Sequence, residues 1–171
     1  MTMRTMMILR LLGLCAGCFA AAGCATAVLF EQELTKTNTQ TVLAFEETVF
    51  NKHEVAEAFQ HYIGDSFVEH DRELAGVRGE AARGEAQRAY AGLIESDGAQ
   101  AHRVLERSVA QGDLVATQSF WSRDERASDA VAVVDFYRLS AGRIVEHWDV
   151  IGVAPTRRSG EDAVPGVSLP P

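Results

Sequence analysis

Apolar residues between positions 41 and 95 recur at helical spacing, with short interruptions. Residues 41–63 show spacings of three and four, which predict two consecutive helices or one broken helix, with the break at Asn51. Residues 66–70 are a candidate for a short strand. Residues 80–95 predict a further helix, because acidic residues stand at its start and apolar residues follow on one face.

From residue 102 onward, the pattern changes to shorter apolar runs that are separated by turn residues. These runs predict four strands, at residues 102–110, 114–123, 130–139 and 143–151. The segments between them have the length of hairpin connections, so the four strands should pair antiparallel. The complete order, two helices, a strand, a helix and four strands, predicts an α+β domain.

A strongly curved antiparallel sheet can wrap around helices and form a cone. We therefore expect residues 41–155 to form a cone-shaped αα-β-α-ββββ domain whose sheet encloses a cavity. Cavities of this kind are natural ligand sites. Residues 156–171, which are rich in Pro and Gly, are expected to be a disordered tail.

The N-terminal segment has the composition of an export signal. It begins with Arg4 and Arg10, carries no charge over residues 11–30 and accumulates small residues towards the end of that run. We expect residues 1–23 to be a signal peptide and residues 24–40 to be a polar linker. The protein would then be exported, either to the periplasm or to a membrane as an anchored lipoprotein.

The C-terminal end of this segment is compatible with several kinds of processing. Residues 21–24 (AAGC) resemble a bacterial lipobox, in which Cys24 becomes the lipidated first residue. The alternatives are ordinary cleavage after Ala27, an uncleaved anchor and an unprocessed buried helix.

The net charge, the cysteine positions and the motifs that are absent limit the classes of partner and cofactor that we expect. The formal net charge is -8 and no basic stripe is present, so nucleic acid is not an expected partner. All three cysteines lie within the first 24 residues, which leaves the predicted domain without an internal disulfide. No closely spaced histidine motif and no dinucleotide or phosphate-binding fingerprint occurs, so we expect neither a metal nor a cofactor.

The last two predicted strands carry most of the reactive side chains. Asp135 shares a strand face with apolar neighbours, so burial should raise the pKa of its carboxyl group and let it donate a hydrogen bond to an enolate oxygen. The alternative is a core aspartate paired with Arg138 or Arg143. His147 and Asp149 alternate onto one face together with Val145, and Glu146 and Trp148 onto the other, unless a bulge changes the register.

Three segments resemble the SnoaL-like polyketide cyclases of the nuclear-transport-factor-2-like superfamily, which includes ketosteroid isomerases. They are residues 110–116 (AQGDLVA), 134–138 (VDFYR) and 142–149 (GRIVEHWD). The chain is similar in particular to the bacterial SnoaL-like aldol-condensation enzymes. The resemblance covers about residues 41–155.

This resemblance implies roles for several residues. His70, within residues 67–71 (FVEHD), falls where ketosteroid isomerases carry the carboxylate that abstracts a proton. Asp135 falls at the position of their oxyanion-binding aspartic acid. Asp149 lies in the region from which SnoaL-type cyclases draw an acid/base carboxylate, and His147 would be a relay or an orienting group. The expected pocket wall consists of Phe67, His102, Tyr137 and Trp148.

Two classes of function follow from this pattern. The first is a cofactor-independent acid/base enzyme that acts next to the carbonyl of a small apolar ligand, with His70 or Asp149 as the base. In that case the side chains of His70 and Asp135 should converge on one cavity. The second is an exported binding domain without chemistry, which holds an apolar ligand or assembles in the cell envelope. A third possibility is a dimer formed through the sheet face that has a purely structural use, and a homodimer is an expected assembly of this chain.

Overall fold

The computed structural model describes residues 3–70, 79–123 and 130–153, with side chains described from residue 27 onward. Three helices and five strands form an α+β domain, as predicted. In chain order the elements are α1 (Met3–Phe50), α2 (Val55–Tyr62), β1 (Ile63–Glu69), α3 (Gly79–Asp97), β2 (His102–Gln111), β3 (Leu114–Ser122), β4 (Val131–Ser140) and β5 (Arg143–Val153). The predicted tail, residues 156–171, lies outside the described residues.

Helix α1 is longer than the sequence pattern predicted. It continues through residues 24–40, which were predicted to be a linker. In that stretch Asn38 is buried, and its side-chain amide donates a hydrogen bond to the carbonyl of Gly112 over 2.8 Å. The segment is therefore fixed to the turn between β2 and β3. Across the described parts of the chain, no helix combines the length and apolar character needed to cross a membrane.

The sheet is mixed rather than wholly antiparallel. Its strand order is β1-β5-β4-β3-β2, and the four C-terminal strands form the predicted antiparallel meander. Strand β1, however, pairs parallel with β5. A parallel pair needs a long crossover, and β1 and β5 are separated by α3 and three strands, so no hairpin constrains their direction.

A tight turn and a bulge set the register of the last hairpin. Ala141 and Gly142 both have positive φ, at 49° and 75°, as a type I′ hairpin turn requires. Arg138 pairs with Glu146, but the next residue of β4, Leu139, pairs with Ile144. Val145 therefore has no partner in the ladder and forms a bulge. As a result, His147 faces Tyr137 and Asp149 faces Asp135 across the two strands.

One side of the sheet packs against the three helices. Its apolar core contains Phe67, and Phe45 lies in its centre, with edge-to-face contacts to Phe59 and Tyr137 at ring distances of 5.7 and 6.1 Å. Such aromatic pairs add about 0.5–1.5 kcal/mol each to the free energy gained from burial. The polar groups described below are embedded in this aromatic layer.

Candidate active site

A histidine between two carboxylates forms the centre of the buried polar cluster. The His147 ring donates from Nδ1 to Glu69 Oε1 over 2.9 Å and from Nε2 to Asp135 Oδ1 over 3.0 Å. The three residues come from β5, β1 and β4, and each is at most 3% exposed. With an acceptor on each ring nitrogen, the imidazole must carry both protons, because a neutral ring has only one N–H group.

The charge of this histidine follows from its partners. Burial alone would lower the pKa of His147, but the hydrogen bonds to Asp135 and Glu69 and their negative charges raise the pKa to about 10. His147 is therefore an imidazolium at neutral pH. It cannot accept a proton there, so it cannot be a general base or the proton relay that was predicted.

Asp135 is held ionised by a second cation. Burial would raise its pKa, yet the charge of Arg103 and the hydrogen bond from His147 outweigh burial, so that the pKa of Asp135 lies below its usual value. The predicted rise was wrong, because Arg103 on β2 lies 3.0 Å from Asp135 Oδ2. Neither Arg138 nor Arg143, the partners considered from sequence, takes this place; they bind Asp113 and the carbonyl of Gln60. An ionised Asp135 cannot donate a hydrogen bond to an enolate.

Glu46 on α1 completes the cluster. Its Oε1 atom accepts hydrogen bonds from Thr117 at 2.6 Å and from Tyr137 at 3.0 Å, and Arg103 Nη1 lies 3.6 Å away. Burial raises the pKa of Glu46, and the negative charge of Asp135 raises it further. The positive charge of Arg103 lowers it, but the net result is a raised pKa. Protonation of Glu46 would leave two carboxylates, Glu69 and Asp135, against two cations, so that the buried charges balance.

Two tyrosines line the histidine. The Tyr137 ring stacks on the His147 ring with 4.8 Å between centroids, and the Tyr90 hydroxyl lies 3.2 Å from His147 Nδ1. Although Tyr90 keeps one edge exposed, burial raises the pKa of its hydroxyl well above the usual value, and the charges of Glu69 and Asp135 add to this effect. Tyr90 therefore keeps its proton and is a neutral hydrogen-bond donor.

His70 and Trp148 lie away from this cluster. Their rings stack at 4.4 Å and 5°, and His70 Nε2 lies 3.4 Å from Glu146, on the face of β5 opposite to His147. The prediction that His70 and Asp135 converge on one cavity was therefore wrong, as was the placement of Trp148 in the pocket wall. Glu69, one residue earlier, takes the inward position, because alternate residues of a strand face opposite sides.

Of the remaining residues that were predicted to belong to the site, some lie at the cluster and others do not. Asp149 is half-buried on the face of His147, opposite Asp135, and Tyr137 belongs to the cluster. Phe67 is part of the apolar core beneath the site. His102 lies at the start of β2, and its ring bonds the carbonyl of Gln100, so no contact joins it to the cluster. Within the described ranges, no group of three or more His, Cys, Asp or Glu side chains is arranged to hold a metal ion.

Four members of the cluster were missed from sequence: Glu46, Glu69, Tyr90 and Arg103. Two of them carried a usable signal. Glu46 stands four residues after Val42 and three before Val49, on the apolar face of α1, and Glu69 stands two residues after Phe67 on β1. Each charged residue is therefore placed on a face that its neighbours mark as buried.

We predict a pH-dependent contribution of His147 to stability. Its folded-state pKa of about 10 lies above the value of 6.5 expected in the unfolded chain, so the contribution is complete below pH 6.5 and is lost as the pH rises towards 10. The slope should be about 1.4 kcal/mol per pH unit in this window. Denaturant unfolding between pH 7 and 9.5 measures it.

The matched control is His147→Gln, which keeps every other titratable group. At neutral pH this variant should lose about 3–5 kcal/mol of unfolding free energy, since Glu69 and Asp135 lose their shared cation. The difference between the two proteins should shrink as the pH rises. Parallel curves for wild type and variant across the window would contradict the charged state of His147.

Comparisons with known proteins identify the fold. No family model and no curated protein matches the chain. A candidate ketosteroid isomerase from Kribbella flavida, 14% identical, aligns over 80% of this chain and 92% of its own, with a TM-score of 0.56. A candidate polyketide cyclase from Acidithiobacillus ferrooxidans is 15% identical over 67% and 87%, with a TM-score of 0.54. An NTF2-like protein of unknown function from Burkholderia xenovorans is 17% identical over 72% and 91%, also with a TM-score of 0.54. At such identities the similarity shows the fold alone, and this chain has the nuclear-transport-factor-2-like fold that its SnoaL-like segments predicted.

Proposed function

We propose that the protein is a cofactor-independent acid/base enzyme that acts on the carbon next to a carbonyl in a small apolar ligand. The observation that carries the proposal is the imidazolium of His147, fixed by Glu69 and Asp135 beside the Tyr90 hydroxyl. A buried positive charge next to a neutral donor stabilises a developing enolate without reorganisation. Structural neighbours that bear the names of a ketosteroid isomerase and a polyketide cyclase support this class of chemistry.

The proposal gives each group a role. The Asp149 carboxylate, half-buried on the inward face, removes the α-proton. The electrons of the broken C–H bond move to the carbonyl oxygen, which becomes an enolate and accepts the hydrogen bond of Tyr90. Return of the proton to another carbon gives isomerisation. In aldol-type cyclisation the enolate carbon instead attacks a second carbonyl carbon, the π bond of that carbonyl breaks, and its oxygen takes the proton from Asp149. Glu69 and Asp135 hold His147 in position.

A non-catalytic domain that binds a ligand or an envelope partner is the second candidate. One observation favours it: the charged groups of the cluster are bound to one another, and the side chains of Asp135 and His147 are almost completely enclosed. A cluster of this kind can serve stability and specificity alone.

The two candidates differ in proton exchange. With the enzyme, deuterium from the solvent should enter the acidic carbon of some member of a panel of apolar ketones. Asp149→Asn should slow the exchange by about 100-fold or more, since general base catalysis contributes 10²–10⁴ in rate. Tyr90→Phe should reduce it by a similar factor through loss of the donor. Proton NMR of the ketones in deuterated buffer measures the exchange.

The matched control is His70→Ala, which removes an exposed ring on the opposite face of β5 and should leave the exchange unchanged. Loss of exchange in His70→Ala would return the base to the position that the sequence indicated. Ligand binding by all four proteins with no exchange on any ketone would establish the non-catalytic candidate instead.

We further propose that the protein is exported and that Cys24 becomes lipidated. The proposal rests on the uncharged run of residues 11–30 and on the lipobox-like residues 21–24. Cys24→Ala should then abolish membrane association in cell fractionation, whereas a soluble wild-type protein with Val28 at its N-terminus would contradict lipidation.

A second copy of the chain is the proposed partner of the outer sheet face. Exposed apolar side chains run across this face on all four antiparallel strands, at Val109, Leu114, Phe136 and Val150. A continuous exposed apolar surface of this kind marks an interaction site, and sedimentation equilibrium tests whether a dimer forms.

A further inference from the structure

A groove runs between α1 and the edge strand β2, and its lining includes Arg103 but not His147. Its volume is about 460 Å³, which falls in the range of small-molecule sites. The ladder of β2 shifts register between Leu105 and Arg107, at the end of the groove. The wall consists of Leu43, Glu46, Glu47 and Asn51 from α1 and of Arg103, Val104 and Leu105 from β2.

Arg103 is a groove-lining residue with one hydrogen-bond donor that has no acceptor. Its side chain is only 7% exposed, and its Nη1 atom lies 3.0 Å from Asp135 Oδ2, with which it is paired. The Nε–H group, in contrast, has no hydrogen-bond acceptor. The ring of Phe50 covers the guanidinium at 3.9 Å. A buried donor without an acceptor is unfavourable, and an acceptor brought by a ligand would remove this cost.

The charges around the groove select an uncharged acceptor. The positive charge of Arg103 is already opposed by Asp135, and Glu47 adds an exposed acidic side chain to the wall. Glu47 accepts a hydrogen bond from the side-chain amide of Asn51 over 2.6 Å. An anionic ligand would lie close to these two carboxylates, whereas a carbonyl oxygen would satisfy Arg103 without repulsion.

The apolar part of the wall is exposed to solvent. Val104 and Leu105 are 52% and 42% exposed, although both flank a buried arginine. Leu43 stands opposite them on α1. Burial of this surface by an apolar ligand would favour binding, because it removes apolar area from water.

We propose that the groove binds a small, uncharged, apolar molecule whose carbonyl oxygen accepts a hydrogen bond from Arg103. This site is separate from the inward face of Asp149 and Tyr90, and the proposal does not depend on the acid/base chemistry.

The Nε–Hε group of Arg103 reports directly on such a ligand. Adamantanone is a suitable probe, because it is a rigid apolar cage with one carbonyl group. Titration of the labelled, purified protein should move the Arg103 Nε–Hε signal, together with the backbone amides of Val104 and Leu105, in a saturable way. Adamantanecarboxylate, the matched anionic probe, should bind about tenfold more weakly or not at all.

Two leucines of α1 provide variants that leave the buried charges intact. Leu43→Trp fills the groove and should weaken adamantanone binding by about tenfold or more. Leu34→Trp, a control on the same helix outside the groove, should bind as the wild type does. Deuterium exchange plays no part in this readout, so failure of the enzyme proposal and failure of this one are distinguishable.

Three results would overturn the proposal. The first is an Arg103 signal that stays unmoved by adamantanone in the folded protein. The second is binding by Leu43→Trp that equals binding by the wild type. The third is tighter binding of adamantanecarboxylate than of adamantanone, which would show an anion site instead.

Discussion

The imidazolium of His147 is the interaction on which the rest of this structure depends. It joins β1, β4 and β5 through Glu69 and Asp135, and it is the polar link between the parallel strand β1 and the C-terminal meander. Two cations, His147 and Arg103, make it possible to bury Glu69 and Asp135 in an aromatic core. Removal of one partner of a buried ion pair costs about 3–5 kcal/mol, a large part of the stability of a small domain.

This arrangement also limits the chemistry. A histidine with a pKa of about 10 is a source of positive charge at neutral pH, not a base. In the proposed enzyme, the proton acceptor would then be a carboxylate that reaches the ligand, and Asp149 is the proposed one. Tyr90 would supply the donor that Asp135, being ionised, cannot supply.

The sequence predicted the helices and strands better than it predicted which residues interact with one another. The four C-terminal strands were placed correctly because alternation and short turns are local signals, and the shared face of His147 and Asp149 followed from the period of a strand. The period alone did not decide which of the two faces is the inward one. The residue of β1 that reaches the buried cluster is one position earlier than the resemblance implied: the resemblance pointed to His70, whereas the spacing from Phe67 favours Glu69. The pKa of Asp135 could not be predicted, because its direction depends on Arg103, a residue 32 positions away on a strand that is not adjacent to β4. The parallel pairing of β1 likewise depends on a long connection that carries no local signal.

The protonation state of His147 is the most direct test of this account. NMR of the protein labelled at the imidazole nitrogens, recorded near pH 7 and assigned with His147→Gln, distinguishes the charged ring from either neutral tautomer. The structure predicts that both ring nitrogens of His147 carry a proton, and that this state persists to about pH 9 because the pKa is about 10. A spectrum with one protonated and one bare ring nitrogen at pH 7 would contradict it, and His147 would again be available as a base.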